Sequence, residues 1–164
     1  MKKFLSNIIA LCAGVFAFLA LIMPAVGHYI NVVVGDNTTT VSGYDFISFE
    51  DGVETSEIMF SVFAIILMVV ACLLILVSVI RFFADNKKFK LAMIQNILAC
   101  DLAVLAIATL ICAIAFVGDF NNSSLFVKDY NYMFIGIGSI LNCVVLVVCA
   151  ILTFLFNCGK KKKR

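Results

Sequence analysis

The chain has no tryptophan, one proline, one histidine, and charged side chains at only 13% of its 164 positions. Each scarcity excludes something. A metal centre needs several converging ligands, and His28 has no second histidine to work with. For the same reason, no Ser–His–Asp arrangement has supporting context. The seven cysteines never fall at C-x-x-C spacing, which argues against a dithiol redox enzyme. No glycine-rich phosphate loop and no zinc motif occurs. Ordinary globular chains carry about 25% charged residues, so the low charge argues against a soluble domain.

What is present is apolar: hydrophobic residues make up 64% of the chain. A body of this size cannot hide that much apolar surface within itself, so lipid must be the solvent for part of it. Spanning a hydrocarbon core of roughly 30 Å takes about 20 mostly apolar residues. Four segments qualify, at about 4–26, 58–83, 91–117 and 133–156. Backbone amides in hydrocarbon need internal partners, so these segments are expected as helices. The expectation is a single membrane domain over 1–164: an all-α four-helix bundle with outer loops at about 27–57 and 118–132 and a tail at 157–164.

The charges supply an orientation. Lys2 and Lys3 precede the first span. Arg81, Lys87, Lys88 and Lys90 lie at the second–third junction, and Lys160, Lys161, Lys162, Lys163 and Arg164 follow the fourth. Only Lys128 lies in either outer loop, beside eight acids. The positive-inside rule puts both termini in the cytoplasm of a multi-pass plasma-membrane protein. Lys2-Lys3, an apolar run and Ala25-Val26-Gly27 also resemble a cleavable signal. The run exceeds the usual signal length, which favours a retained helix. The basic tail is expected to bind anionic lipid at about 1 kcal/mol per charge, or to act as an ordinary stop-transfer anchor. Cys158 lies beside it; the other six cysteines fall within spans, mostly as small apolar fillers.

The first outer loop is long and rich in β-branched residues. It reads as three short strands, Tyr29–Val34, Thr38–Val41 and Tyr44–Phe49, with Gly35-Asp36-Asn37 as a turn. A small antiparallel sheet formed by this loop would have exposed edges able to pair with another chain. Tyr29, Val32, Val34, Tyr44, Phe46 and Phe49 are its candidate association residues. The alternative is a loop that only folds onto its own bundle. In the second outer loop, Gly118 is expected to cap helix three and Leu125–Val127 to make a further strand. Asn37, Asn121 and Asn122 match the glycosylation acceptor pattern.

Within the spans, Asp101 lies about 15 Å deep at 1.5 Å per residue. An ionisable group at that depth is a functional candidate. Gln95, Asn96 and Asn142 also lie within spans. Asp101, Asn96 and Asn142 form either a polar clamp between helices or a proton or cation relay. The clamp is the expected reading, because a single acid without an ionisable partner makes a thin pathway. Ala10-x-x-x-Gly14, Ala13-x-x-x-Ala17 and Ala99-x-x-x-Ala103 offer small faces for close helix approach, and Gly136 and Gly138 could serve similarly.

This layout resembles the claudin-like four-helix (tetraspan) superfamily of cell-contact and channel-associated proteins. Helix one ends in Met23-Pro24-Ala25 before a strand, where the family usually has Pro followed by Trp. Ser42-Gly43-Tyr44-Asp45-Phe46 stands at the family's Gly-Leu-Trp segment. Lys128-Asp129-Tyr130 and Tyr132–Gly136 are similar to its entry into helix four. The family's Trp and outer-loop cysteine pair are absent, so barrier formation and paracellular ion selection are not implied. The expected function is non-enzymatic association, with a second copy or another membrane protein, through the outer sheet. The alternative is a small transporter or channel subunit using Asp101. No cofactor, nucleic acid or small-molecule substrate is indicated; the lipid bilayer is the expected partner, beside a second copy or another membrane protein.

Overall fold

A computed structural model describes residues 2–32, 35–42, 55–83, 89–123 and 131–158. It contains four long helices, α1 (Lys2–Ile22), α2 (Thr55–Phe83), α3 (Phe89–Ser123) and α4 (Ile137–Cys158), and three strands, β1 (Pro24–Val32), β2 (Gly35–Ser42) and β3 (Asn131–Ile135). All four helices are long and apolar enough to cross a membrane. They form a closed ring in which α1 packs between α2 and α4, and α3 packs between the same two neighbours. The axis is lined by small and medium apolar side chains: Ala10, Ala17, Ala64, Leu67, Ala71, Leu74, Leu102, Ala106 and Leu146. Large apolar side chains turn outward instead, among them Leu19, Val69, Leu76, Val104, Ile111, Val144 and Leu155. A surface of that kind suits hydrocarbon rather than water.

Proline decides where the first helix stops. Pro24 has no N–H to donate, and its ring clashes with the carbonyl four residues back. The helix therefore ends at Ile22 rather than running to the expected Val26. β1 begins at Pro24, five residues before the expected strand at Tyr29. The β-branched residues Val26, Ile30 and Val32 favour the extended continuation.

The sheet order is β2-β1-β3, antiparallel throughout. It corrects the expectation of a sheet made by the first outer loop alone, because β3 comes from the segment leading into α4. Residues 133–135, expected as the first turn of that helix, are strand. Gly35, Asp36 and Asn37 lie in β2, paired with Val32, Asn31 and Ile30, and are not the turn. The strands expected at Tyr44–Phe49 and Leu125–Val127 lie outside the described residues. Gly118 is another correction. It lies inside α3, which continues to Ser123, and so does not cap the helix.

Small residues make the close approaches. A Cβ on Gly14 would come within 2.6 Å of Ile75 Cγ1 and 3.1 Å of the Ala71 carbonyl oxygen on α2. Ala13 and Ala17 on α1, and Ala99 and Ala103 on α3, are buried. The expected small-residue faces are therefore turned inward in the bundle.

Candidate functional site

The sheet end is a continuation of the bundle. α1 and α4 pack side by side, and their chains continue as the antiparallel pair β1 and β3. The joint is built from backbone. Gly136 N–H donates to the Ala25 carbonyl at 2.8 Å, and Ser139 Oγ donates to the same oxygen at 3.0 Å. A Cβ on Gly136 would overlap the Pro24 carbonyl oxygen and lie 2.7 Å from the Ala25 carbonyl carbon. One on Gly138 would lie 2.8 Å from Met23 Cβ. Only glycine fits there; the close approach is at the strand–helix joint of the same chain and not between helices as expected.

The two edges of the sheet differ. Asn121, in the extra turns of α3, donates from Nδ2 to the Met133 carbonyl at 3.0 Å. Its Oδ1 accepts from Met133 N–H at 2.8 Å. The amide does what one residue of a fourth strand would do, and it closes the outer edge of β3 there. Asn121, one of the matches to the acceptor pattern, was expected in a loop; it instead sits in α3 with both amide atoms engaged. On the far side of the sheet, β2 pairs with β1 and no described strand pairs with its outer edge. In an antiparallel ladder, one residue's N–H and C=O point to the same side. Met133 points both away from β1, so His28 opposite it points both toward β2, where it faces Thr39. By alternation, Asp36, Thr38 and Thr40 present their backbone groups to the open edge.

Of the candidate association residues, Tyr29 and Val32 belong to β1, the central strand. Tyr29 pairs with both Thr38 and Tyr132, and Val32 pairs with Gly35. Val34, Tyr44, Phe46 and Phe49 lie outside the described residues, as do Lys160 to Arg164. His28 is also in the central strand, and among the described residues no three His, Cys, Asp or Glu side chains converge.

At the opposite end of the bundle, all four helices contribute to one polar cluster. Gln95 is fully buried at its centre. Its Nε2 donates to Ser78 Oγ at 2.9 Å on α2 and to Asn7 Oδ1 at 3.3 Å on α1. Its Oε1 accepts from Arg81 of α2, from Ser6 Oγ of α1 at 3.4 Å and from Asn157 Nδ2 of α4 at 3.4 Å. Ser6 also donates to Asn157 Oδ1 at 2.9 Å, and Asn157 Nδ2 donates to Asn96 Oδ1. Arg81 is only 8% exposed, and Gln95 is its one hydrogen-bond partner among the described residues. Asn7 Nδ2 and Thr153 Oγ1 are buried without partners among the described residues. Phe4 and Phe82 meet edge to face beside the cluster, with ring centroids 5.7 Å apart.

The expected trio is not brought together. Asn96 joins the Gln95 cluster through Asn157. Asn142 is buried on α4, its Oδ1 without a partner among the described residues. Asp101 is exposed on the outer face of α3 and makes no hydrogen bond among the described residues. The clamp that exists is centred on Gln95 and includes Ser6, Asn7, Ser78, Arg81 and Asn157, which were not singled out from the sequence. The available signal was one or two polar residues at the same end of each apolar run. Cysteine placement also departs from simple core filling: Cys112 is buried, while Cys12, Cys72, Cys100 and Cys158 are exposed.

Comparison with known proteins returned no matching family model, no matching curated protein and no matching solved structure.

Proposed function

We propose that this chain is a non-enzymatic, multi-pass plasma-membrane protein whose outer sheet associates with a second copy of itself or with another membrane protein. The observation that carries this reading is the asymmetry of the sheet. Asn121 occupies the backbone groups of Met133 on one edge, while the other edge, along β2, ends without a described neighbour. Proteins block edges they do not use, because an open edge templates pairing with another chain. The same reading puts both termini and the Gln95 cluster at the cytoplasmic face, on the distribution of lysine and arginine. The succession of helix, strands, two helices, strand and helix is the layout behind the claudin-like resemblance, which enters here only as part of the proposal.

Proline substitution supplies the test. Proline is tolerated on an edge strand where its missing N–H would face outward, and it breaks a ladder where the N–H faces inward. Thr40→Pro removes an outward donor and keeps the β1–β2 pairing. The mass of the purified protein in nanodiscs is then compared with wild type. Loss of an oligomer or of a co-purifying partner in Thr40→Pro, with unchanged circular dichroism, supports pairing through β2. Equal masses and no partner in either protein would remove the basis for the reading.

The transporter alternative gains no support from geometry. A relay needs Asp101 inside the bundle or beside a second polar group, and its side chain is on the outer face.

A further inference from the structure

The outer face of α3 carries a feature that the sheet reading leaves unused. Met93, Ile97, Cys100, Val104, Ile107, Ile111 and Ile114 form an exposed stripe along it, flanked by exposed Ile94, Asp101 and Ala115. The steps alternate between four and three, which is the heptad repeat of a left-handed helix pair. Ile97, Val104 and Ile111 take the a positions; Met93, Cys100, Ile107 and Ile114 take the d positions. The f positions Gln95, Leu102 and Thr109 are fully turned into the bundle. β-branched residues at a favour a two-stranded pairing.

The outward faces of the other helices show similar spacing, and their exposed mid-span residues are apolar or cysteine. α3 is different because Asp101 lies on its face, at position e. A lone carboxyl facing hydrocarbon is costly in either protonation state. In a parallel pair of helices, position e of one faces position g of the other, five residues earlier in sequence. That position is Asn96. Its Oδ1 accepts from Asn157, and its Nδ2 donates to nothing among the described residues. The donor left over on Asn96 therefore matches the acceptor left over on Asp101, and a two-fold axis along the membrane normal makes the match twice.

We propose that a second copy of this chain packs against the outer face of α3 in a parallel two-fold dimer, with Asp101 of each protomer accepting a hydrogen bond from Asn96 of the other. An ionised Asp101 accepts from the amide. A protonated one can instead donate to the second lone pair of Asn96 Oδ1. The interface is independent of the β2 edge and lies within the spans, so one chain can use both surfaces in a larger assembly.

Cys100 provides the readout, because it sits at a d position on the dimer axis. The full chain is reconstituted in phosphatidylcholine liposomes with the other six cysteines replaced by alanine, then oxidised with copper phenanthroline. A matched protein keeps only Cys72, which is exposed on α2. The expected result is a covalent dimer through Cys100 at least tenfold above that through Cys72. Asp101→Ala and Asn96→Ala are each expected to lower the association constant roughly tenfold, the effect of losing two interhelical hydrogen bonds. Should the cysteine-depleted chain misfold, energy transfer between labelled copies retaining all seven cysteines reads the same association for wild type and Asp101→Ala. Equal cross-linking through Cys72 and Cys100, or unchanged association in Asp101→Ala, overturns the proposal. Loss of association in Thr40→Pro with Asp101→Ala silent also overturns it, while leaving the sheet reading intact. The converse result keeps the α3 dimer and rejects the sheet.

Discussion

The two ends of the bundle are held by different chemistry. At the sheet end the chain is joined mainly through backbone: Gly136 N–H donates to the Ala25 carbonyl, the Ser139 hydroxyl adds a second bond to the same oxygen, and no side chain larger than hydrogen fits at Gly136. At the other end the helices are joined by side chains that converge on Gln95. A backbone joint has almost no tolerance, because its atoms cannot choose another rotamer. A side-chain cluster has redundancy, because Ser6 and Asn157 also bond each other without Gln95. The sheet end should therefore fail abruptly under substitution, and the polar end by degrees.

That contrast can be broken or sharpened by mutation. Gly136→Ala carries the largest expected effect. Its methyl group meets Pro24 and Ala25 backbone, so the α4–β1 joint must open at a cost of about 3 kcal/mol. Thermal unfolding in detergent, followed by circular dichroism, checks this; a melting temperature equal to wild type would mean the joint is softer than argued. Gln95→Leu comes next, at about 2 kcal/mol, since it leaves Arg81, Ser78 and Asn7 short of partners in a buried place. Adding Ser78→Ala to Gln95→Leu should cost less than the sum of the two single changes. Strict additivity in that cycle would refute the cluster as a unit.

Smaller effects are expected where the two kinds of packing meet. Gly14→Ala gains about 1 kcal/mol of helix propensity. It also crowds Ile75 and the Ala71 carbonyl, for a net loss of about 1 kcal/mol. Stabilisation by this change would show that α2 can retreat freely. Asn121→Ala should alter stability least, by about 0.5–1 kcal/mol, because Met133 is only partly buried. Its larger consequence is on assembly. With the β3 edge uncovered, masses above the wild-type state should appear in nanodiscs, and Thr40→Pro should not suppress them. Absence of such species would mean that the edge is covered by more than Asn121.

Much of the fold was legible because its signals are local. Long apolar runs set the four helices, and the single proline marks where α1 yields to strand. The reach of α3 to Ser123 was not legible, since Gly118 reads as a stop in isolation. Packing beside β3 and the Asn121–Met133 bonds accompany the helix past it. Residues 133–135 of β3 were misread as helix for a related reason. Tyr132-Met133-Phe134-Ile135 continues an apolar run, and only the pairing with β1 distinguishes it. The candidate site was legible by residue type and not by grouping. Gln95, Asn96, Asp101 and Asn142 are all visible as polar interruptions, but their helical phase relative to neighbouring helices decides which of them meet.

The sequence alone therefore determined the number of long apolar helices and the uneven placing of lysine and arginine along the chain. These follow from composition and length, which need no knowledge of neighbours. Tertiary structure alone decided that Gln95 is the hub, that Asp101 faces outward and that Asn121 covers the β3 edge at Met133. Those outcomes depend on the rotation of each helix about its own axis, set by which small residues let helices approach and which large ones are turned away.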